Sequence, residues 1–251
     1  MERVASLKRL SRHAGPALQE LARRAGWAVE RYPAESSLFG HLKQLFALHG
    51  VDCVLDVGAN CGQFATGLRR SGFSGRIVSF EPVPEAFEQL ANRAKTDQGW
   101  DTRQLALGDR SGRLPLNVTA STSVSSFLTP TDAYAAGYAG GRVARVENVE
   151  VARLDDMVDH LSTGARRFFL KVDTQGYDLA VVDGAAGCIA QVVGLQIELS
   201  VMPIYEGAPE YLDALRFVQD RGFIPSGMFP VVSDHALRVY EFDGVFVRAD
   251  A

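Results

Sequence analysis

Apolar runs alternate with amphipathic stretches along most of the chain. Val51, Cys53, Val54 and Leu55 form a short apolar run that meets Asp56 and then a turn containing Gly58, Asn60 and Gly62. A short apolar run bounded by turn residues predicts a buried strand, and the glycine turn predicts the start of a helix. Before it, residues 36–49 place Leu38, Phe39, Leu42, Leu45, Phe46 and Leu48 at helical spacing, with Ser36 or Ser37 to cap and Gly50 to stop. After it come a helix over 63–70 ending near Gly72, a strand over 76–82, a helix opening at Pro84 with Phe87 and Leu90 on one face, and a strand over 101–108. The second half repeats the alternation. A strand over 166–176 ends on Asp173, a helix spans 177–185, and a strand over 194–200 ends on Glu198. An amphipathic helix over 210–221 turns Leu212, Leu215 and Val218 inward, and two β-rich segments, 223–232 and 239–248, close the chain. Strands alternating with helices predict an open parallel sheet with right-handed crossovers.

Two segments depart from this rhythm. Residues 113–151 hold a short strand over 114–118, the run STSVSSFLTP, and an Ala/Gly/Tyr stretch through Gly141 before a strand over 146–154 and a short helix at 156–161 capped by Asp155. A long stretch of small residues inside a domain is functional or mobile, so residues 121–141 read as a substrate-side flap or as a surface loop. Residues 1–31 carry Arg3, Lys8, Arg9, Arg12, Arg23, Arg24 and Arg31 against Glu2, Glu20 and Glu30. Val4, Leu7, Leu10, Leu18 and Leu21 sit there at helical spacing. The plain reading is a helical arm lying on the domain or on a second subunit. The sharper one is a basic amphipathic helix making peripheral contact with an anionic membrane or a lipid-linked substrate. Residues 1–50 are therefore divided off as an N-terminal helical arm and cover helix, and 51–251 as one α/β domain.

Composition narrows the function classes. The chain has 251 residues and a net charge of −4, which gives no overall electrostatic case for nucleic acid. No apolar run reaches the length of a membrane span, and the first residues lack the apolar core of a signal peptide. Cys53, Cys61 and Cys188 have neither metal-ligand spacing nor a disulfide framework, which points to a reducing cytoplasm.

Four acidic residues, Asp56, Glu81, Asp173 and Glu198, fall at or just past strand ends, and in a parallel sheet those ends share one ligand-binding edge. The turn has the spacing G-x-x-x-G, which is not the dinucleotide fingerprint. Its glycines allow a ligand close to the backbone. Glu81 follows Gly62 by 19 residues, where a carboxylate accepts both hydroxyls of a ribose. Asp109 is a weaker candidate beside an adenine edge. His235 could complete the site from the opposite lip or simply be exposed, and Lys171 could pair with a carboxylate on its own strand.

The segments DVGANCGQF, SFEP, QLALGD, TSVSSF, RLDD, LKVDTQGYDLAVVDGA and LQIELS, in that order over about 51–200, resemble the FkbM family of S-adenosylmethionine-dependent methyltransferases. The resemblance implies a class I methyltransferase, Rossmann-like fold: a seven-stranded sheet with helices on both faces and its last strand antiparallel. It implies O-methylation of a hydroxyl, often on sugars of glycolipids or on polyketide-type natural products, and the acceptor expected here is a sugar in a glycolipid or a glycosylated natural product. By position, Asp56, Gly58, Ala59, Asn60 and Gly62 would surround the methionine part of the cofactor. Glu81 and Pro82 would take the ribose, and Ala106 and Leu107 would flank the adenine. Asp173 would face the transferred methyl. An alcohol needs a base or a metal to remove its proton. Asp173 and Glu198 are accordingly the expected catalytic pair, acting as base and orienter or holding a Mg²⁺ with waters. The chain departs from the family in having Gln175 and Asp178 where Glu is usual.

Two other classes stay open on the sequence: a non-catalytic nucleotide-binding or assembly module on the same fold, favoured by Gln175, and an NAD-type oxidoreductase, disfavoured by the glycine spacing. Phe127, Tyr134, Tyr138, Tyr205, Met228 and Phe229 suit a small-molecule or lipid-linked sugar, and equally a core or a homo-oligomer contact.

Overall fold

The computed structural model describes residues 33–161, 167–202 and 204–250, together with 20, 21, 24, 25 and 164. Most of the basic arm lies outside the described residues. Within it, Arg24 donates to Glu20 one helical turn away at 3.2 Å.

Helix α1, Leu38–His49, begins where the Ser37 side chain accepts from the Gly40 amide and ends at Gly50 in the left-handed conformation. The alternation then gives β1 (Cys53–Val57), α2 (Gln63–Ser71), β2 (Arg76–Phe80), α3 (Pro84–Ala94) and β3 (Trp100–Arg103). After the middle segment come β7 (Phe168–Val172), α6 (Asp178–Asp183), β8 (Val192–Ser200), α7 (Tyr211–Asp220), β9 (Phe223–Ser233) and β10 (Val239–Arg248). These seven strands form one sheet in the order β3-β2-β1-β7-β8-β10-β9. The first five run parallel. β10 is antiparallel to both neighbours, so the last strand in sequence is the reversed one, inserted between β8 and β9. This is the class I methyltransferase arrangement expected from the resemblance.

Side chains alternate across a strand, so each central strand feeds two cores. On one face Val54, Ile77, Phe169 and Val193 pack under Leu42 and Phe46 of α1, Ala65 and Leu68 of α2 and Leu90 of α3. On the other, Leu55, Val78, Leu170 and Ile197 meet Val181 and Val182 of α6 and Ala214 and Val218 of α7. Helices cover both faces, which is why β1, β7 and β8 read as nearly continuous apolar runs. Leu212, expected inward, is exposed, and α7 buries Ala214 and Val218 instead.

The middle segment forms a second sheet. The expected strand over 101–108 is divided. β3 joins the main sheet, and β4 (Ala106–Leu107) pairs with β6 (Val143–Ala152), which in turn pairs with β5 (Gly112–Thr119) in the order β4-β6-β5. Leu116, Val118, Val149 and Val151 of this sheet pack on Val83 and Ala86, so it leans on the start of α3. Helix α4 (Asp132–Gly137) and two 3₁₀ turns, Thr122–Val124 and Ala139–Gly141, lie between β5 and β6, and the short α5 (Val158–Leu161) follows β6. No helix among the described residues is long and apolar enough to cross a membrane.

Leu55 is fully buried at the centre of this arrangement. Leu55→Ala is expected to lower the unfolding free energy by about 2–5 kcal/mol, measured by urea denaturation with an unchanged m-value.

Candidate active site

The carboxyl ends of β1, β2 and β7 open on a cleft of about 240 Å³. A polar row runs through the sheet beneath it, with Lys171 and Gln196 reaching the cleft itself. Ser79, Asp56, Lys171 and Gln196 are register partners across four adjacent strands, β2, β1, β7 and β8, and all four are buried. Lys171 Nζ lies 3.2 Å from Asp56 Oδ1 and 3.4 Å from Asp173 Oδ2, and donates to the Gly58 carbonyl at 3.1 Å. Burial alone would depress Lys171, but the charges of Asp173 and Asp56 outweigh it and hold the ammonium above the usual lysine range. Asp56 Oδ2 accepts from Ser79 Oγ at 3.0 Å, and Ser79 Oγ accepts from the Trp100 indole at 3.0 Å. Asp56 thus stands behind the turn as a brace and does not line the cleft.

The turn itself is built for close approach. Gly58 has φ +70°, and a Cβ there would collide with the Asp173 carbonyl oxygen, so only glycine lets β1 and β7 end side by side. Gly58 and Ala59 both donate their amides to the Phe80 carbonyl, at 3.1 and 3.0 Å. Asn60 is also left-handed, φ +46°; its Oδ1 accepts from the Cys61 amide at 2.7 Å and its Nδ2 donates to Thr122 Oγ1 at 3.3 Å. Gly62 caps α2 at φ +83°, packed on Leu90 and Trp100 away from the cleft.

Glu81 sits just past β2 with its side chain turned under the turn. Oε2 accepts from the Asn60 amide and Oε1 from the Val83 amide, both at 2.8 Å. Burial pushes this carboxyl up to about 7, although both amides pull it down. Gly58, Ala59, Asn60, Glu81, Pro82, Ala106, Leu107 and Asp173 all line the one cleft. Leu105, Leu116, Val83 and Phe127 add an apolar wall beside Ala106 and Leu107. Thr122, Ser123 and Ser125 reach its rim from the flap.

Asp173 and Glu198 are joined through Gln175. The Gln175 Nε2 donates to Asp173 Oδ1 and to Glu198 Oε2, both at 2.9 Å, while its Oε1 accepts from the Tyr205 hydroxyl at 2.8 Å. Gln175 holds φ +57°, a conformation costing on the order of 1–3 kcal/mol outside glycine. Its carbonyl accepts from Ser126 Oγ at 2.7 Å, and the Tyr205 hydroxyl also lies 2.9 Å from the Val124 carbonyl. The flap is therefore tied to the acidic end of the site. Glu198 lies behind Gln175, outside the cleft lining, and burial together with the Asp173 and Glu241 charges keeps it well above the usual carboxylate range. Asp178, also behind, is bonded by the Thr174 amide and hydroxyl, and burial pushes it up to about 6.

Several sequence expectations fall elsewhere. His235 is exposed in the β9–β10 turn and does not reach the cleft. Asp109 accepts from the Tyr177 hydroxyl outside it. Of the aromatic and apolar residues named for a sugar face, Phe127 lines the cleft, Tyr205 is buried, and Met228 and Phe229 lie on the edge strand β9. Gln196 and Asp243 line the cleft and were not singled out. A glutamine inside the apolar run GLQIELS was the available signal. Among the described residues no group of three or more His, Cys, Asp or Glu is placed to hold a metal ion. Asp173 faces an ammonium and an amide NH₂, which are competing donors and not fellow ligands, so the residues present do not fit the expected Mg²⁺.

The family model for the methyltransferase FkbM domain matches residues 56–225. The chain belongs to the FkbM methyltransferase family. The methyltransferase sdnD of Sordaria araneosa is 27% identical over 200 residues, covering 67% of this chain and 75% of that protein. Among solved structures, Aeropyrum pernix fibrillarin with bound S-adenosyl-L-methionine matches at a TM-score of 0.45 and 12% identity, covering 82% of this chain and 74% of that one. Magnesium protoporphyrin IX methyltransferase from Synechocystis PCC 6803 matches at 0.44 and 10%, covering 88% and 86%.

The matched FkbM segment spans every residue of the Asp56–Lys171–Asp173–Gln175–Glu198 network. Removing one member of a buried ion pair leaves its partner charged and unpaired. Lys171→Met is expected to cost about 3–5 kcal/mol of stability at neutral pH. The loss is read by urea denaturation at pH 7.5 as a lower midpoint with an unchanged m-value.

Proposed function

We propose that this protein is an S-adenosylmethionine-dependent O-methyltransferase acting on a hydroxyl group of a sugar in a glycolipid or glycosylated natural product. The observation that carries this is one cleft holding the Gly58 turn, the buried Glu81 and the anchored Asp173 together. The residues present fit the cofactor. Glu81 has spent one lone pair of each oxygen on a backbone amide, and the others are free for a ribose diol. Leu107, Leu116, Val83 and Phe127 offer an apolar slot beside it for a purine.

When bound, the sulfonium supplies an electrophilic methyl group. The rest is positioning, which can account for most of an in-line displacement. Asp173 stands at the end of β7, its oxygens fixed by Lys171 and Gln175, where it would take the proton of the acceptor hydroxyl. Glu198 acts through Gln175 as the orienter and does not touch the reacting atoms. The flap, tied in through Thr122, Ser126 and Val124, forms the acceptor side of the cleft.

Methyl transfer from labelled S-adenosylmethionine to a panel of glycolipid sugars tests the reading, alongside titration with S-adenosylhomocysteine and NAD. Asp173→Asn should lose about 10²–10⁴-fold in turnover and keep S-adenosylhomocysteine affinity within about twofold. Full turnover in that variant removes Asp173 from the chemistry, and binding of NAD alone overturns the methyltransferase reading. Glu81→Gln should weaken S-adenosylhomocysteine by about tenfold, the loss of one charge-assisted hydrogen bond.

A further inference from the structure

Gln196 is a buried amide in the middle of an apolar strand, 2% exposed, yet it lines the cleft. Its amide hydrogen-bonds the Asp243 carboxylate from β10. Among the described residues its Oε1 finds no hydrogen-bond partner. A buried acceptor left unpaired keeps its full desolvation cost, so the oxygen marks a place where a ligand supplies the donor.

The charge around it narrows that donor. Asp173, Glu198, Glu241 and Asp243 gather at this end of the sheet, and Lys171 is already shared between Asp56 and Asp173. Burial and the charge of Asp173 push Asp243 up to about 6 against the pull of Lys171 and Gln196. A neutral hydroxyl would satisfy the amide oxygen and leave the carboxylates repelling one another. A protonated amine satisfies both, with three donors and a positive charge.

Position favours the cofactor over the acceptor as its source. Gln196 is the register partner of Lys171, two residues inward of the strand-end position of Asp173. With strands about 4.8 Å apart and a rise of about 3.3 Å per residue, it lies on the order of 8 Å diagonally inward of Asp173. A group reaching it lies level with Asp56 and Lys171, below the Gly58 turn, while the flap residues stand at the rim.

We propose that Gln196 Oε1 and the Asp243 carboxylate form a subsite for a primary ammonium, the α-amino group at the amino-acid end of the adenosyl cofactor. The inference rests on the cofactor reading above. Its test compares S-adenosylhomocysteine, which carries that ammonium, with 5′-methylthioadenosine, which lacks it, by isothermal titration calorimetry. Asp243→Asn should weaken S-adenosylhomocysteine at least tenfold and leave 5′-methylthioadenosine within twofold. Gln196→Leu should do the same to a smaller degree. Unchanged S-adenosylhomocysteine affinity in both variants overturns the subsite, as does an equal loss for both ligands, which would mean a general structural effect. Wild-type protein that binds neither ligand overturns the cofactor reading first and the subsite with it.

Discussion

A charged lysine sits inside a parallel sheet between two aspartates, and the rest of the site is arranged to make that tolerable. Lys171 and Asp56 are almost wholly removed from water. Taking either charge out of water alone costs several kcal/mol, which their attraction offsets only with good geometry and further hydrogen bonds. Those are supplied from both sides: Ser79 and Trp100 behind Asp56, the Gly58 carbonyl and Asp173 around Lys171. The pairing acts between neighbouring strands in register, so it also fixes how β1 and β7 end relative to each other.

From that brace follows the shape of the cleft. Gly58 crosses directly over the end of β7, which brings the turn, Glu81 and Asp173 onto one edge. Gln175 extends the network to Glu198 and Tyr205, and Tyr205 and Ser126 carry it into the flap. The second sheet, β4-β6-β5, holds both ends of that flap and leans on the start of α3. Its apolar residues thereby become one wall of the same cleft.

Much of this was legible in the sequence. Apolar runs ending on acidic residues gave the parallel strands, and Ser37, Gly50, Gly62, Gly72 and Pro84 bounded the helices where the structure has them. The turn, Glu81, Pro82, Ala106, Leu107 and Asp173 do meet in one cleft. The splitting of residues 101–108 was not legible, because β4 pairs with β6, more than forty residues away, and a two-residue strand has no periodicity to read. That Gln175 stands between Asp173 and Glu198 was not legible either, since it is the left-handed turn at Gln175 that brings its side chain between the two carboxylates.

The sequence by itself determined the order of strands and helices, the glycine turn and the carboxylates at strand ends, because these follow from local periodicity and from conformations only certain residues adopt. It could not decide which polar side chains in apolar strands face one another. Asp56, Lys171 and Gln196 lie far apart in the chain and become neighbours only through register, and Asp243 joins them only because β10 inserts beside β8. In a buried row the charge of each group and its hydrogen-bond partners depend on the strand next to it. The chemistry of the cleft was therefore settled by tertiary pairing.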